Sequence, residues 1–218
     1  MKNNSGKQSC SDFDSKTFDW NNYYKNKSNQ TPRDTLVMAL DIIRNQKSKK
    51  EGMFAIDVGC GHGADTLELL KKGWKVLATD ADENGLRLLN ESVDKSFKEN
   101  LKTEKLPFEE FGNAKLKKCD LLNASYCLPF CKPEYFEILW NKISDTIKTG
   151  GMFSGQFFGQ NDEWAGNKDM TFLKIKKVNE LFRDFEVLYF EEKDEDGKTA
   201  SGDSKHWHVF SVIAEKLA

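Results

Sequence analysis

The stretch FAIDVGCGHGADTLELLKKG, residues 54–73, decides the fold. An apolar run enters a loop that has glycine at every second position, Gly59, Gly61 and Gly63, and a helical pattern of apolar residues follows. A carboxylate, Asp57, stands two residues before the first glycine. Glycine lets a backbone approach a ligand closely, and the N-terminus of the next helix offers free N–H groups. The stretch therefore predicts a strand, a ligand-binding turn and a helix.

Strand and helix patterns alternate along the rest of the chain. The predicted strands lie at 53–58, 74–80, 101–106, 117–125, 151–159, 185–192 and 206–216. The predicted helices lie at 35–45, 64–72, 82–97, 133–148 and 172–184. This alternation predicts an α/β fold: a Rossmann-like, doubly wound, mainly parallel seven-stranded sheet with helices on both faces. The last two strands are joined only by the turn-rich segment 193–205, which predicts an antiparallel C-terminal hairpin at the edge of the sheet.

Composition and charge limit the classes of function. With 38% hydrophobic and 31% charged residues in a chain of 218, we predict a soluble globular protein with a sizeable core. We expect a polar, mobile tail over residues 1–16 and a single domain over residues 17–218. The formal net charge of -2 gives no strong attraction to nucleic acid or to an anionic membrane. The sequence also lacks an apolar run as long as a membrane span.

The cysteine pattern points to a reducing compartment. The chain has an odd number of cysteines and no CxxC pair. This pattern predicts neither a disulfide framework nor a zinc site, so no metal is expected. Because the N-terminal residues also lack the apolar segment of a secretion signal, we expect a reduced, cytoplasmic protein.

Two acids indicate which ligand the glycine loop holds. A dinucleotide would place its pyrophosphate at such a loop, and Asp57 would repel it, whereas a cationic amine would be attracted. Asp80 ends the next predicted strand, where its carboxylate can accept hydrogen bonds from both hydroxyls of a ribose. A ligand with a ribose, an amino-acid part and a positively charged sulfur is S-adenosylmethionine, which we predict as the cofactor.

Two motifs carry a family resemblance. DVGCGHG at 57–63, followed by LATDAD at 77–82, resembles motifs I and II of the class I S-adenosylmethionine-dependent methyltransferases. The resemblance extends from Trp20 to Lys216, and the segment 123–131 is most similar to small bacterial methyltransferases of the tellurite-resistance type. It implies an enzyme that transfers a methyl group to a small molecule by in-line displacement.

The resemblance also implies which residues contact the cofactor. They lie before the first helix and at or just after the ends of the first four strands: Arg33, Asp57, Gly59, Cys60, Gly61, Asp80, Ala81, Phe108, Glu109, Asn123 and Ala124. Asp57 and the loop backbone would hold the methionine part, and Arg33 would bind its carboxylate. Asp80 would hold the ribose, and Ala81 would pack on the adenine.

The other implied contacts surround the two ends of the cofactor. Phe108 and Glu109 would meet the adenine amine. Asn123 and Ala124 would line the cofactor near the transferable methyl group. Cys60, inside the glycine loop, is interpreted as a small residue that fills space beside the cofactor.

Three segments, at 18–24, 125–131 and 159–170, are expected to form the substrate pocket. Its candidate residues are Tyr24, Phe130, Asp162 and Trp164. The chain shows neither a second domain nor a basic groove, which favours a small-molecule substrate over nucleic acid. No residue stands out as a general base, and none is named as catalytic.

Two other functions stay open. A non-catalytic sensor that binds S-adenosylmethionine would share all of these residues. An NAD-dependent oxidoreductase would share the sheet and Asp80, but Asp57 argues against it. The oligomeric state carries no prediction.

Overall fold

The computed structural model describes residues 31–46, 52–199 and 202–218. In chain order its elements are α1 (Asp34–Gln46), β1 (Phe54–Val58), α2 (Ala64–Lys71), β2 (Lys75–Asp80), α3 (Glu83–Ser92), β3 (Leu101–Lys105), α4 (Phe108–Phe111), β4 (Cys119–Ala124), α5 (Pro133–Thr146), β5 (Ile147–Gly159), β6 (Phe172–Leu173), α6 (Ile175–Leu181), β7 (Phe185–Lys198) and β8 (Ser204–Lys216). The predicted tail at 1–16 and the candidate Tyr24 lie outside the described residues. Within the described ranges, every helix is too short or too polar to cross a membrane.

The strands form one sheet in the order β3-β2-β1-β4-β5-β8-β7. The strands β1 to β5 run parallel to one another. β8 runs antiparallel to β5 and to the edge strand β7. The predicted seven-stranded sheet and its terminal hairpin are therefore confirmed. An eighth strand, the two-residue β6, pairs with the end of β5. The strand order changes direction between β1 and β4, and such a switch point opens a ligand crevice at the carboxyl ends of the strands.

Helices cover both faces of the sheet, because strands that are buried on both sides need apolar partners on each. On one face, α5 contributes Phe136, Leu139, Trp140 and Ile143 to a core rich in phenylalanine. On the other face, α1 packs against β5 and β8, α2 against β1 and β2, and α3 against β2 and β3, and their leucines are buried in this second core. The ligand crevice therefore has a rigid floor on which polar residues can be held in place.

Two predicted helices differ from the observed ones. The helix expected over 82–97 ends at Ser92, and a 3-10 helix, Lys95–Asn100, follows it. The side chain of Asp94 accepts a hydrogen bond from the Ser96 N–H at 2.8 Å and so begins this new turn. The helix expected from 172 begins at Ile175, because Phe172 and Leu173 pair with β5 as a strand.

The terminal hairpin is longer than the sequence indicated. Most of the segment 193–205, predicted as a connection, belongs to β7 and β8, which stay paired from Phe185–Lys216 out to Lys198–Ser204. The segment was predicted as a loop because β7 is rich in acidic residues, which are uncommon in strands. In the structure two of these acids, Asp194 and Asp196, flank the His206 ring at 2.8 and 2.7 Å, so cross-strand contacts compensate for the weak strand propensity.

Candidate active site

The glycine loop, residues 59–63, turns directly after β1. All three of its glycines have positive φ, +63° at Gly59, +54° at Gly61 and +92° at Gly63, a conformation that residues with a Cβ rarely adopt. The Cys60 N–H donates to the Thr79 carbonyl on β2 at 3.0 Å. The loop is therefore shaped by its glycines and tied to the neighbouring strand.

Asp80, at the end of β2, holds the loop from the side. Its carboxylate accepts hydrogen bonds from the Gly61 N–H at 2.7 Å and from the Asp82 N–H at 2.8 Å. Asp82 in turn caps α3 by accepting from the N–H groups of Asn84 and Gly85. Burial raises the pKa of Asp80, yet the residue stays partly exposed, with the exposed Ala81 next to it. The structure thus places Asp80 beside the glycine loop with part of its surface exposed.

Asp57 lies beneath the loop and is almost fully buried, with 1% exposure. Its two carboxylate oxygens accept hydrogen bonds from the Thr66 hydroxyl at 2.6 Å and from the Asn123 side-chain amide at 2.9 Å. Burial, followed by the charge of Asp65, raises the pKa of Asp57 to about 7. Asp57 is therefore part of a hydrogen-bonded floor that joins β1, α2 and β4.

Asp65, which the sequence did not single out, completes this floor. It accepts from the same Asn123 amide nitrogen at 2.9 Å and from the backbone N–H of Arg33 at 2.8 Å. Acids are common in the first turn of a helix, where the helix dipole stabilises them. This position therefore gave no reason to expect that Asp65 contacts residues far away in the sequence. The backbone of Arg33 is thereby tied to the start of α2, and its guanidinium lies 4.8 Å from the ring centre of Tyr126.

Tyr126 and Gln156 form a second polar junction that the sequence analysis missed. Tyr126 has a positive φ of +54°, which is strained for a residue with a side chain. Its N–H donates to the Gln156 side-chain oxygen at 3.1 Å, and the Gln156 amide donates to the Thr35 hydroxyl at 2.8 Å. The sequence did contain a signal for these polar contacts. Ser154 and Gln156 are polar residues two positions apart in the apolar strand β5, so they share one face of the sheet.

The other predicted cofactor contacts are spread around the same edge of the sheet. Ala124 ends β4 and is fully buried, whereas Cys60 is half-buried and donates from Sγ to the Gly61 carbonyl at 3.6 Å. Burial raises the pKa of the Cys60 thiol well above its usual value, so the thiol stays neutral. Phe108 and Glu109 begin α4 beyond β3; the phenylalanine packs against the core and the glutamate is exposed.

The predicted substrate residues separate into two environments. Phe130 and Trp164 pack with Tyr126 around Phe158, and we call these four residues the aromatic cluster. Asp162 is 3% exposed and instead forms a buried ion pair with Lys205 at 2.5 Å. The ammonium of this lysine also lies 4.4 Å from the ring centre of Trp164. Asp162 thus fixes the loop that carries Trp164.

The histidines of β8 are also engaged in structural contacts. The His208 Nε2 atom lies 2.9 Å from a Glu192 oxygen, and its Nδ1 atom accepts from the Asn161 N–H at 3.0 Å.

In the part of the chain that the structure describes, no three His, Cys, Asp or Glu side chains are grouped to hold a metal ion.

Solved structures define the class of this fold. TehB from Haemophilus influenzae matches with a TM-score of 0.70 and 20% identity, over 90% of this chain and 67% of that one. The 1,6-didemethyltoxoflavin-N1-methyltransferase of Burkholderia thailandensis matches with a TM-score of 0.62 and 16% identity, over 91% of this chain and 85% of that one. The architecture is thus the Rossmann-like fold of S-adenosylmethionine-dependent methyltransferases.

The sequence comparison defines the family. The family described as "Tellurite resistance protein TehB" matches residues 17–205, so the chain belongs to the TehB family, and the predicted family is confirmed. A curated relative, the ribosomal protein L11 methyltransferase of Campylobacter concisus, is 29% identical over 153 residues, which are 69% of this chain. The chain spans 50% of the length of that relative.

Proposed function

We propose that the protein is a methyltransferase that moves a methyl group from S-adenosylmethionine to a small molecule. The observation that carries the proposal is the floor of the crevice, where a three-glycine turn lies between the carboxylates of Asp57 and Asp80. Membership of the TehB family supports the same cofactor. Carboxylates around a backbone turn attract a ligand that carries a positive ammonium and a positive sulfonium, and they repel the negative charge of a pyrophosphate.

The residues present fit this cofactor. In our proposal the backbone of Gly59 and Gly61 and the carboxylate of Asp57 hold the methionine part, and Arg33 binds its carboxylate. Asp80 accepts hydrogen bonds from the ribose hydroxyls, and Ala81 packs on the adenine. At the two ends of the cofactor, Phe108 and Glu109 adjoin the adenine, whereas Cys60, Asn123 and Ala124 line the methionine side.

The chain's own residues act by alignment and by exclusion of water. When bound, the cofactor supplies a methyl group on a cationic sulfur, whose departure as a neutral thioether needs no acid. Holding a nucleophile in line with that methyl group can lower the barrier by roughly 7–11 kcal/mol. We propose that the aromatic cluster forms the wall on the acceptor side and keeps water away, and that Tyr24 is a further substrate-binding residue. Asp162 contributes by fixing the loop of Trp164.

The acceptor is proposed to be a small molecule. The Burkholderia thailandensis enzyme has 1,6-didemethyltoxoflavin and S-adenosylhomocysteine bound in its structure, which shows that this fold can serve a small acceptor in that protein.

The four cysteines of the described residues are free thiols, which suits a reducing compartment, so we propose that the protein is cytoplasmic.

A turnover assay separates this function from a sensor. Purified protein is incubated with S-adenosylmethionine and a panel of thiols, amines, phenols and oxyanions, and S-adenosylhomocysteine is quantified by mass spectrometry. A methyltransferase forms S-adenosylhomocysteine with at least one class of acceptor at a rate proportional to enzyme. A sensor binds the cofactor and leaves it unchanged with every acceptor.

Asp80→Ala tests the ribose contact. The variant should bind S-adenosylhomocysteine about 5–150-fold more weakly, because the diol loses a charged acceptor and the Gly61 N–H loses its partner, together about 1–3 kcal/mol. Titration calorimetry measures the change. Glu83→Ala, which removes an exposed acid of the same loop-to-helix region, is the control and should bind like the wild type. Equal affinity of Asp80→Ala and Glu83→Ala would contradict the ribose assignment.

A further inference from the structure

Two buried carboxylates in the crevice floor share a single amide group. Asp57 and Asp65 are 1% and 7% exposed, and each accepts a 2.9 Å hydrogen bond from the Asn123 side-chain nitrogen. Among the described residues, neither carboxylate forms an ion pair with a basic side chain. Two adjacent negative charges that are withdrawn from water are costly unless a cation or a proton compensates them.

The groups around the pair supply no such compensation. From β2, Asp80 adds a third negative charge. The thiols of Cys60 and Cys127 stay neutral, because burial raises the pKa of each well above its usual value. Arg33 gives Asp65 only its backbone N–H, while its guanidinium lies over the ring of Tyr126.

We propose that the Asp57–Asp65 pair holds one proton while the site is empty and releases it when the ammonium group of the cofactor arrives. The inference rests on the proposed function. On binding, the O–H bond of one carboxylic acid breaks and its proton passes to the solvent. The ammonium brings an equal positive charge, so the net charge of the floor stays the same.

The hydrogen bonds of the floor are compatible with both states. The Thr66 hydroxyl, 2.6 Å from Asp57, donates to a carboxylate and can accept from a carboxylic acid. On β5, in register with Asn123, the Ser154 hydroxyl is buried and has no hydrogen-bond partner among the described residues. A buried hydroxyl next to Asn123 that lacks a partner leaves this floor able to meet one more polar group.

The sign of the pH dependence follows from the empty state. Burial and the Asp65 charge raise the pKa of Asp57 to about 7, and a bound ammonium would lower it again. The protonated pair must lose its proton before the ammonium binds. Affinity should therefore rise with pH, about five-fold from pH 6 to pH 7.

Titration calorimetry in buffers of different ionisation enthalpy counts the released protons. S-adenosylhomocysteine is titrated into the full chain at pH 6 and pH 7, in phosphate and in imidazole. The expected release is about 0.9 proton at pH 6 and about half a proton at pH 7, so the apparent enthalpy differs between the buffers. The ligand 5′-methylthioadenosine, which has the adenosine and the thioether but no amino-acid part, should bind without proton release.

Variants assign the proton to the pair. Asp57→Asn should abolish the release, and Asp65→Asn should lower it at pH 7 because the neighbouring charge is gone; melting curves verify that both variants are folded. Binding of S-adenosylhomocysteine with the same enthalpy in both buffers at both pH values overturns the inference and leaves the proposed function intact. An equal release with 5′-methylthioadenosine also overturns it. If S-adenosylhomocysteine does not bind at all, both the proposed function and this inference fail.

Discussion

Replacing Asp162 by alanine is expected to lower the free energy of unfolding by about 3–5 kcal/mol, because it removes the carboxylate from a buried ion pair. The side chains of Lys205 and Asp162 are 1% and 0% exposed, and the ammonium lies 2.5 Å from a carboxylate oxygen. The same carboxylate accepts from the backbone N–H groups of Trp164 and His208. Removing the carboxylate breaks these three contacts, which tie the 159–170 loop to β8.

Urea denaturation followed by tryptophan fluorescence measures this loss. The double variant Asp162→Ala with Lys205→Met should recover part of the stability, because an apolar chain replaces the buried ammonium that has lost its carboxylate. Glu83→Ala, which breaks the exposed pair with Lys105, is the control and should cost under about 1 kcal/mol. The ion-pair account is wrong if Asp162→Ala is as stable as this control.

Gly59→Ala is expected to destabilise the fold by about 2–5 kcal/mol through two effects. At a φ of +63° a side chain costs about 1–2 kcal/mol. A Cβ at this position would also lie 2.3 Å from the Cβ of Cys127, an overlap that forces the backbone apart at about 1–3 kcal/mol.

Gly73→Ala is the matched control for backbone strain. Gly73 has a φ of +85°, and an added Cβ there would meet no atom within 4 Å. The Gly73→Ala variant should therefore lose only the free energy of backbone strain, about 1–2 kcal/mol of unfolding free energy. If the two variants lose the same stability in urea denaturation, the close approach of Cys127 to the glycine loop does not contribute.

The order of strands and helices was predictable because its signals are local. The apolar runs, the glycine turn and the capping Asp82 act over a few residues, and the observed sheet follows them from β1 to β5. The position of Asp80 beside the glycine loop was also predictable, since adjacent parallel strands bring their carboxyl ends together.

The network beneath the glycine loop and the Asp162–Lys205 ion pair were not predictable, because their partners are far apart in sequence. Asp57 and Asn123 are separated by 66 positions, and Asp162 and Lys205 by 43. No local pattern states that such residues will be buried together. The acid-rich β7 was misjudged for a related reason: its stability as a strand depends on β8, not on its own propensity.

The central claim is that the crevice binds a sulfonium cofactor and not a dinucleotide, and calorimetric titration of the purified protein tests it most directly. We predict that S-adenosylhomocysteine binds with a dissociation constant in the micromolar range, on the order of −8 kcal/mol, and that NAD gives no heat of binding. Binding of NAD without binding of S-adenosylmethionine or S-adenosylhomocysteine would contradict the account.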